Sequence, residues 1–278
     1  MCIRDRSILS LIGCGETSPE TLVDELRVIA SVAEPPEVQP GSTFGYTSYL
    51  ANPDDEDTVA ITWVCTNLGD GCLEAQGGVE SVRYTKLEGN APVWTRDLGV
   101  TPALGPLVTE SAITATQLWT LACVRNTCPI IEEVATLDTT DAWPDELSEQ
   151  LANPTAWLSD LPMSGVSLAY QLLTTSLSDE PQANPTLIAT DDREGLLVRG
   201  ETFSLSFTVD GTFTEQAQVF NYITGGGFKM ANTYVTAGNT VELEGTAPKD
   251  GDEARIWVVL ADGLGGVAVW TQTFPLTG

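Results

Sequence analysis

Runs rich in β-branched and aromatic residues recur roughly every ten to fifteen residues from position 26 onward, and clusters of Pro, Gly, Asn and Asp stop each one. Strands this short, separated by turns, are what a β-sandwich requires, because each strand crosses one sheet and must then reverse. In the first half the alternating Leu26–Val32 is closed by Glu34-Pro35-Pro36-Glu37-Val38-Gln39-Pro40-Gly41. Thr43–Leu50 and Thr58–Cys65 follow across an Asn52-Pro53-Asp54-Asp55-Glu56-Asp57 turn, and then Val79–Leu87, Thr114–Ala122 and Val166–Thr175.

Two departures interrupt this rhythm. Residues 126–162 read as an insert with short helical turns at 145–151 and 155–158, the second opened by Asn153 as cap and Pro154 in the first turn. Trp143 and Trp157 are expected to pack this insert against the domain. Around 176–185, Asp179-Glu180-Pro181 and Asn184-Pro185 mark a domain boundary. Beyond it seven strands fit: Thr186–Ala189, Thr202–Val209, Ala217–Thr224, Phe228–Thr236, Thr240–Glu244, Ala254–Leu260 and Gly266–Phe274. The last two form a hairpin across the glycine-rich Asp262-Gly263-Leu264-Gly265-Gly266.

With 278 residues and 42% apolar content, the chain can fill two cores. Its formal charge of −27 makes nucleic acid and anionic lipid poor partners, since both are held by basic surfaces. Residues 15–183 carry 26 acidic and 5 basic side chains, whereas 184–278 carry 12 and 5. Histidine is absent. That excludes Ser-His-Asp triads, Cys-His pairs and His-ligated zinc. Lysine occurs at Lys86, Lys229 and Lys249, which leaves few candidates for a Ser-Lys dyad. Enzymes that survive these exclusions use paired carboxylates, a lysine base or calcium.

Among the cysteines, Cys65, Cys72, Cys123 and Cys128 form an even set, which in an exported chain reads as disulfides. Local spacing favours Cys65 with Cys72 and Cys123 with Cys128; the crossed pair Cys65–Cys123 is the alternative. Intervening stretches of six and four residues are loose for a four-thiolate zinc site.

Near the start, Leu11-Ile12-Gly13-Cys14 follows Arg4, Arg6 and a short apolar stretch. This resembles the lipobox of bacterial lipoproteins, and the resemblance implies cleavage before Cys14 and its acylation. Two or three acyl chains, at about 0.8 kcal/mol per buried methylene, hold a protein on a bilayer. Residues 1–14 are then a signal remnant and 15–25 a polar tether. Gly15 after the anchor, rather than Asp, implies the outer membrane by the same resemblance. No later stretch reaches the roughly 18 apolar residues of a membrane-spanning helix.

The two halves in turn resemble bacterial immunoglobulin-like domains. The matching residues are Glu34 to Gly41, Ile61-Thr62-Trp63-Val64-Cys65, and Trp257-Val258-Val259-Leu260-Ala261-Asp262-Gly263-Leu264-Gly265-Gly266-Val267, whose ending is also similar to PKD-type repeats. The resemblance implies an all-β chain of two immunoglobulin-like sandwiches in tandem, at 26–178 with the insert and at 184–278, as in two-domain envelope lipoproteins. The second half lacks a cysteine pair and carries Phe220 and Tyr222 where the first has Trp63.

Three acidic turns could offer oxygens to calcium: Asp54 to Asp57, Asp191-Asp192-Arg193-Glu194, and Asp250-Gly251-Asp252-Glu253. None matches the twelve-residue loop of an EF-hand, and the expectation is solvated turns that protect strand edges. Asp262 is expected to cap its own turn. We therefore expect a non-catalytic, lipid-anchored envelope protein with no cofactor and no metal. Its work would be adhesion, scaffolding or recognition of an envelope protein or polysaccharide. The alternatives are a carboxylate-dependent glycoside hydrolase and a calcium-binding surface protein. A binding module should show exposed apolar or aromatic side chains at a sandwich end or on the insert.

Overall fold

In a computed structural model of the chain, the described residues are 19–38, 44–54, 56–65, 83–86, 93–98, 114–128, 164–175, 182–190, 195–236 and 238–278. They are strands and turns with one 3-10 turn, Pro19–Thr21, so the chain is all-β. It divides into two compact units between Ala183 and Asn184, and the second unit also takes the described stretch ending at Asp24. The insert, from residue 129 to 162 with Trp143 and Trp157, lies outside the described residues.

The first strand, β1 (Leu22–Val23), belongs to the second unit. The first unit is built from β2 (Arg27–Glu34), β3 (Glu37–Val38), β4 (Phe44–Ala51), β5 (Thr58–Cys65), β6 (Arg83–Lys86), β7 (Val93–Leu98), β8 (Thr114–Val124) and β9 (Val166–Thr175). One sheet runs β2-β4-β7 and the other β3-β9-β8-β5-β6. Short β3 lies parallel to β9, and the other pairs are antiparallel. The chain thus changes sheets between β2 and β3, across a cis Glu34–Pro35 bond. Residues 93–98 form a strand that the pattern of runs and turns does not announce, although Val93-Trp94-Thr95 is β-branched and aromatic. The strand pairs with β4 from Phe44↔Leu98 to Tyr49↔Val93.

In the second unit the strands are β10 (Thr186–Ala189), β11 (Leu197–Val198), β12 (Thr202–Asp210), β13 (Gln218–Thr224), β14 (Gly227–Phe228), β15 (Asn232–Tyr234), β16 (Thr240–Thr246), β17 (Glu253–Ala261) and β18 (Val267–Thr277). One sheet runs β10-β12-β16-β14. The other runs β11-β18-β17-β13, with β15 and β1 both on the far edge of β13. Here β10 and β11 split between the sheets as β2 and β3 do, and β11 lies parallel to β18. Each unit is therefore an immunoglobulin-like sandwich: β2-β4-β7 corresponds to β10-β12-β16 and β3-β9-β8-β5 to β11-β18-β17-β13, while β14 and β1 are additions described in the second unit alone.

Alternation makes the second core. Phe203, Leu205, Phe207 and Val209 face inward from β12, against Ala254, Ile256, Val258 and Leu260 of β17. Phe207 meets Trp270 edge-on with ring centres 5.0 Å apart, and Phe203 meets Phe228 at 5.5 Å. Each buried side chain of this size contributes roughly 2–3 kcal/mol. Opposite Phe203 the sequence needs Gly245, because a Cβ there would lie 2.6 Å from the phenyl ring.

Two expectations change in this unit. A single strand over Phe228–Thr236 is replaced by two short ones, because the chain crosses between sheets there. Gly227–Phe228 pairs with β16 and Asn232–Tyr234 with β13. Asn221 fixes the crossing, donating from Nδ2 to the Met230 carbonyl at 2.7 Å and from its backbone N–H to that of Ala231. The second change concerns the tether. Within 15–25, Leu22–Val23 lies parallel to β13 at Ile223–Thr224, and Thr21 and Val23 are buried. The physical cause is an alternation hidden in a polar stretch: β-branched Thr21 and Val23 point the same way and find an unfilled sheet edge.

Candidate functional sites

The cysteines divide. Cys123, the penultimate residue of β8, and Cys128 are joined by a disulfide across the turn Val124–Thr127, where Asn126 adopts φ 68°. This bond leaves no sulfur for a Cys65–Cys123 pair. Cys65 ends β5, while Cys72 and Cys14 lie outside the described residues. Asn126 tolerates the left-handed conformation better than most residues, which lets the loop close within five positions.

Two acidic turns are held by arginines of the same unit. Asp57 forms an ion pair with Arg125, whose backbone N–H also donates to the Asp57 carbonyl at 2.7 Å. Asn52 completes that loop, donating to the Glu56 carbonyl and accepting from its N–H. In the turn at 250–253, Arg199 donates from Nε and Nη2 to the Gly251 carbonyl at 3.0 and 2.8 Å, and from Nη1 to the Gly278 carbonyl. Its guanidinium lies 3.6 Å from Asp252. In this turn the Gly251 carbonyl and one Asp252 carboxylate oxygen face the guanidinium. Residues 191–194 and Asp55 lie outside the described residues. Among the described residues, no three acidic, cysteine or histidine side chains gather as metal ligands would.

Asp262 is fully buried at the end of β17. Its Oδ1 accepts from the N–H groups of Leu264 at 2.6 Å and Gly266 at 2.9 Å, so the carboxylate caps the hairpin turn. Burial holds its carboxyl above the ordinary range, against the pull of those backbone donors. The carboxylate is spent on its own loop, where Gly263 takes φ 81° and Gly265 φ 114°.

A polar knot sits inside the first unit. Tyr46 donates to Ser31 at 2.9 Å, Ser48 donates to Tyr46 at 2.8 Å, and the Tyr46 and Thr120 hydroxyls share a hydrogen bond. These four buried groups tie β2 and β4 of one sheet to β8 of the other. Hydroxyl pairing lets polar groups remain inside a unit whose buried side chains include Leu26, Val28, Leu50, Ala60, Ala122 and Ala169.

Large apolar side chains reach solvent in the second unit. Met230 and Tyr234, 62% and 70% exposed, bracket edge strand β15, and Ile188, Leu196 and Val198 surround the step from β10 to β11. The sheet containing β13, β17 and β18 is apolar on its second face as well. Strand register sets Phe220, Val259 and Val269 in one row and Tyr222 with Trp257 in the next, opposite the core. Tyr222, Trp257 and Val259 are buried there. Antiparallel sheets usually leave such a face to water.

No family model matches the chain, and no curated protein matches it. Solved structures that superpose on it include a chimeric titin Z1Z2 carrying an exogenous decorin peptide, at 13% identity, 90% of this chain, 98% of that one and a TM-score of 0.22. The N-terminal immunoglobulin module of the Drosophila receptor protein tyrosine phosphatase DLAR matches at 10% identity, 91% of this chain, 97% of that one and a TM-score of 0.25. An α-2-macroglobulin of Escherichia coli matches at 9% identity over 91% of this chain and 22% of its own length, with a TM-score of 0.24. Similarity this low carries no argument. The fold class rests on strand order, which defines a pair of immunoglobulin-like β-sandwich units.

Proposed function

We propose that the chain is a non-catalytic recognition or adhesion module of a bacterial envelope, anchored through Cys14 in the outer membrane, with an envelope protein or polysaccharide as partner. The observation that supports this is the exposure of Met230 and Tyr234 along the β15 edge, since a binding module holds apolar side chains in water where a purely structural spacer has no use for them. The arginines in the acidic turns at 54–57 and 250–253 favour this over the calcium-binding alternative.

Three experiments test it. Metabolic labelling with palmitate should mark the protein in membranes, and Cys14→Ser should abolish the label; a wild-type protein found in the cytosol with reduced thiols would refute the anchoring. Immobilised protein should retain envelope protein or polysaccharide, and Tyr234→Ala should lower retention by about tenfold, the effect of losing one aromatic contact of roughly 1.4 kcal/mol. Hydrolysis of a polysaccharide that one Asp or Glu substitution abolishes would overturn the non-catalytic part.

A further inference from the structure

The second unit is completed by residues that precede the first. Thr21 is fully buried and its Oγ1 accepts from the Phe228 N–H at 2.8 Å, Leu22 and Val23 pair with Ile223 and Thr224, and Val23 is buried beside them. Along the same edge of β13, β15 pairs with 218–220 and stops there. Without β1, Ile223 and Thr224 would present an open edge, the feature that invites another strand.

The chain passes between the units through very short crossings. Only Asp24 and Glu25 separate Val23, buried in the second unit, from Leu26, buried in the core of the first. On return, Ala183 alone separates Gln182, whose N–H donates to Glu37 in the first unit, from Asn184, whose Oδ1 accepts from Val267 in the second. Short hinges of this kind favour exchange of the terminal element between copies, since exchange keeps every contact of the element.

We propose that β1 is an exchangeable strand, and that the partner which fits the β13 edge is the Pro19–Asp24 segment of a second copy of this chain. Each copy carries one donor strand and one acceptor edge. Reciprocal exchange satisfies both and closes a two-fold dimer with no contact that the monomer lacks. The dimer does not depend on the anchor or on the partner proposed above, so it can be tested with unacylated full-length protein.

Wild-type protein is refolded from denaturant at about 1 to about 200 μM and its mass measured by size exclusion with light scattering, a range in which mass action separates monomer from dimer. The dimer fraction should rise with refolding concentration and persist for hours after dilution. Val23→Asp should remain monomeric throughout. Inserting about six Gly/Ser residues between Asp24 and Glu25 should lower the dimer fraction about fivefold, because a longer flexible hinge raises the effective concentration of the strand at its own unit relative to that of a second copy. A monomer at every concentration, a dimer that Val23→Asp leaves intact, or a dimer fraction unmoved by the longer hinge would each overturn the proposal. Should Val23→Asp fail to fold, the hinge insertion decides alone.

Discussion

Asp262 offers a stringent test of how the second unit is held together. Replacing it with Ala removes an acceptor of the buried Gly266 N–H and the partly buried Leu264 N–H. A buried donor left unpaired costs about 2 kcal/mol and a partly wetted one about 0.5 to 1. The sum, roughly 2.5 to 3 kcal/mol, should move the urea midpoint of this unit down by about 2 M at a slope of about 1.3 kcal/mol/M. Asn at the same place keeps an acceptor oxygen and loses the charge, so Asp262→Asn should cost far less. The pH dependence then separates cap from charge. Because burial raises the folded-state carboxyl above its unfolded value, protonation stabilises the folded form. That contribution is complete below the unfolded value of about 3.9 and is lost as pH climbs through the folded one. Wild type should therefore lose stability relative to Asp262→Asn as pH rises from acid to neutral. A midpoint shift under about 0.4 M for Asp262→Ala, or a wild-type advantage that grows with pH, would refute the reasoning.

Tyr46→Phe should destabilise the first unit by about 2 kcal/mol, since it strips partners from Ser31, Ser48 and Thr120 while keeping the ring; chemical denaturation measures it, and a neutral change would show the knot to be idle. Replacing Cys123 and Cys128 together with Ser opens a closed loop and should cost about 2 kcal/mol in the chain-entropy account, read as a lower thermal midpoint of the first unit. Arg199→Ala frees the Gly251 and Gly278 carbonyls at a half-exposed site and should cost about 1 kcal/mol, visible as faster amide exchange in the 250–253 turn.

The strands that pack a core were legible wherever period-two alternation ran for several residues. Thr202–Asp210 and Glu253–Ala261 alternate inward apolar with outward polar or second-face residues, and their turns are written in Gly and Asp. Two-residue strands such as Leu22–Val23, Glu37–Val38 and Leu197–Val198 carry no such period. Their neighbours in space, β13, β9 and β18, lie far away in sequence. Strand 93–98 is hidden for a related reason: Arg96 and Asp97 break its apolar run, and its identity as a strand comes from six register pairs with β4.

By itself the sequence determined an all-β chain, two sandwiches, the closing hairpin, the capping role of Asp262 and the exclusion of histidine chemistry. Those follow from local steric preference, side-chain period and composition. Tertiary structure decided that Thr21–Val23 serves the second unit, that Arg199 and Arg125 close acidic turns, and that four hydroxyls meet inside the first unit. Apart from the Ser48–Tyr46 bond, those pairings join groups 15 to 207 residues apart. Their energy exists only once distant strands have been brought together, so no local pattern announces them.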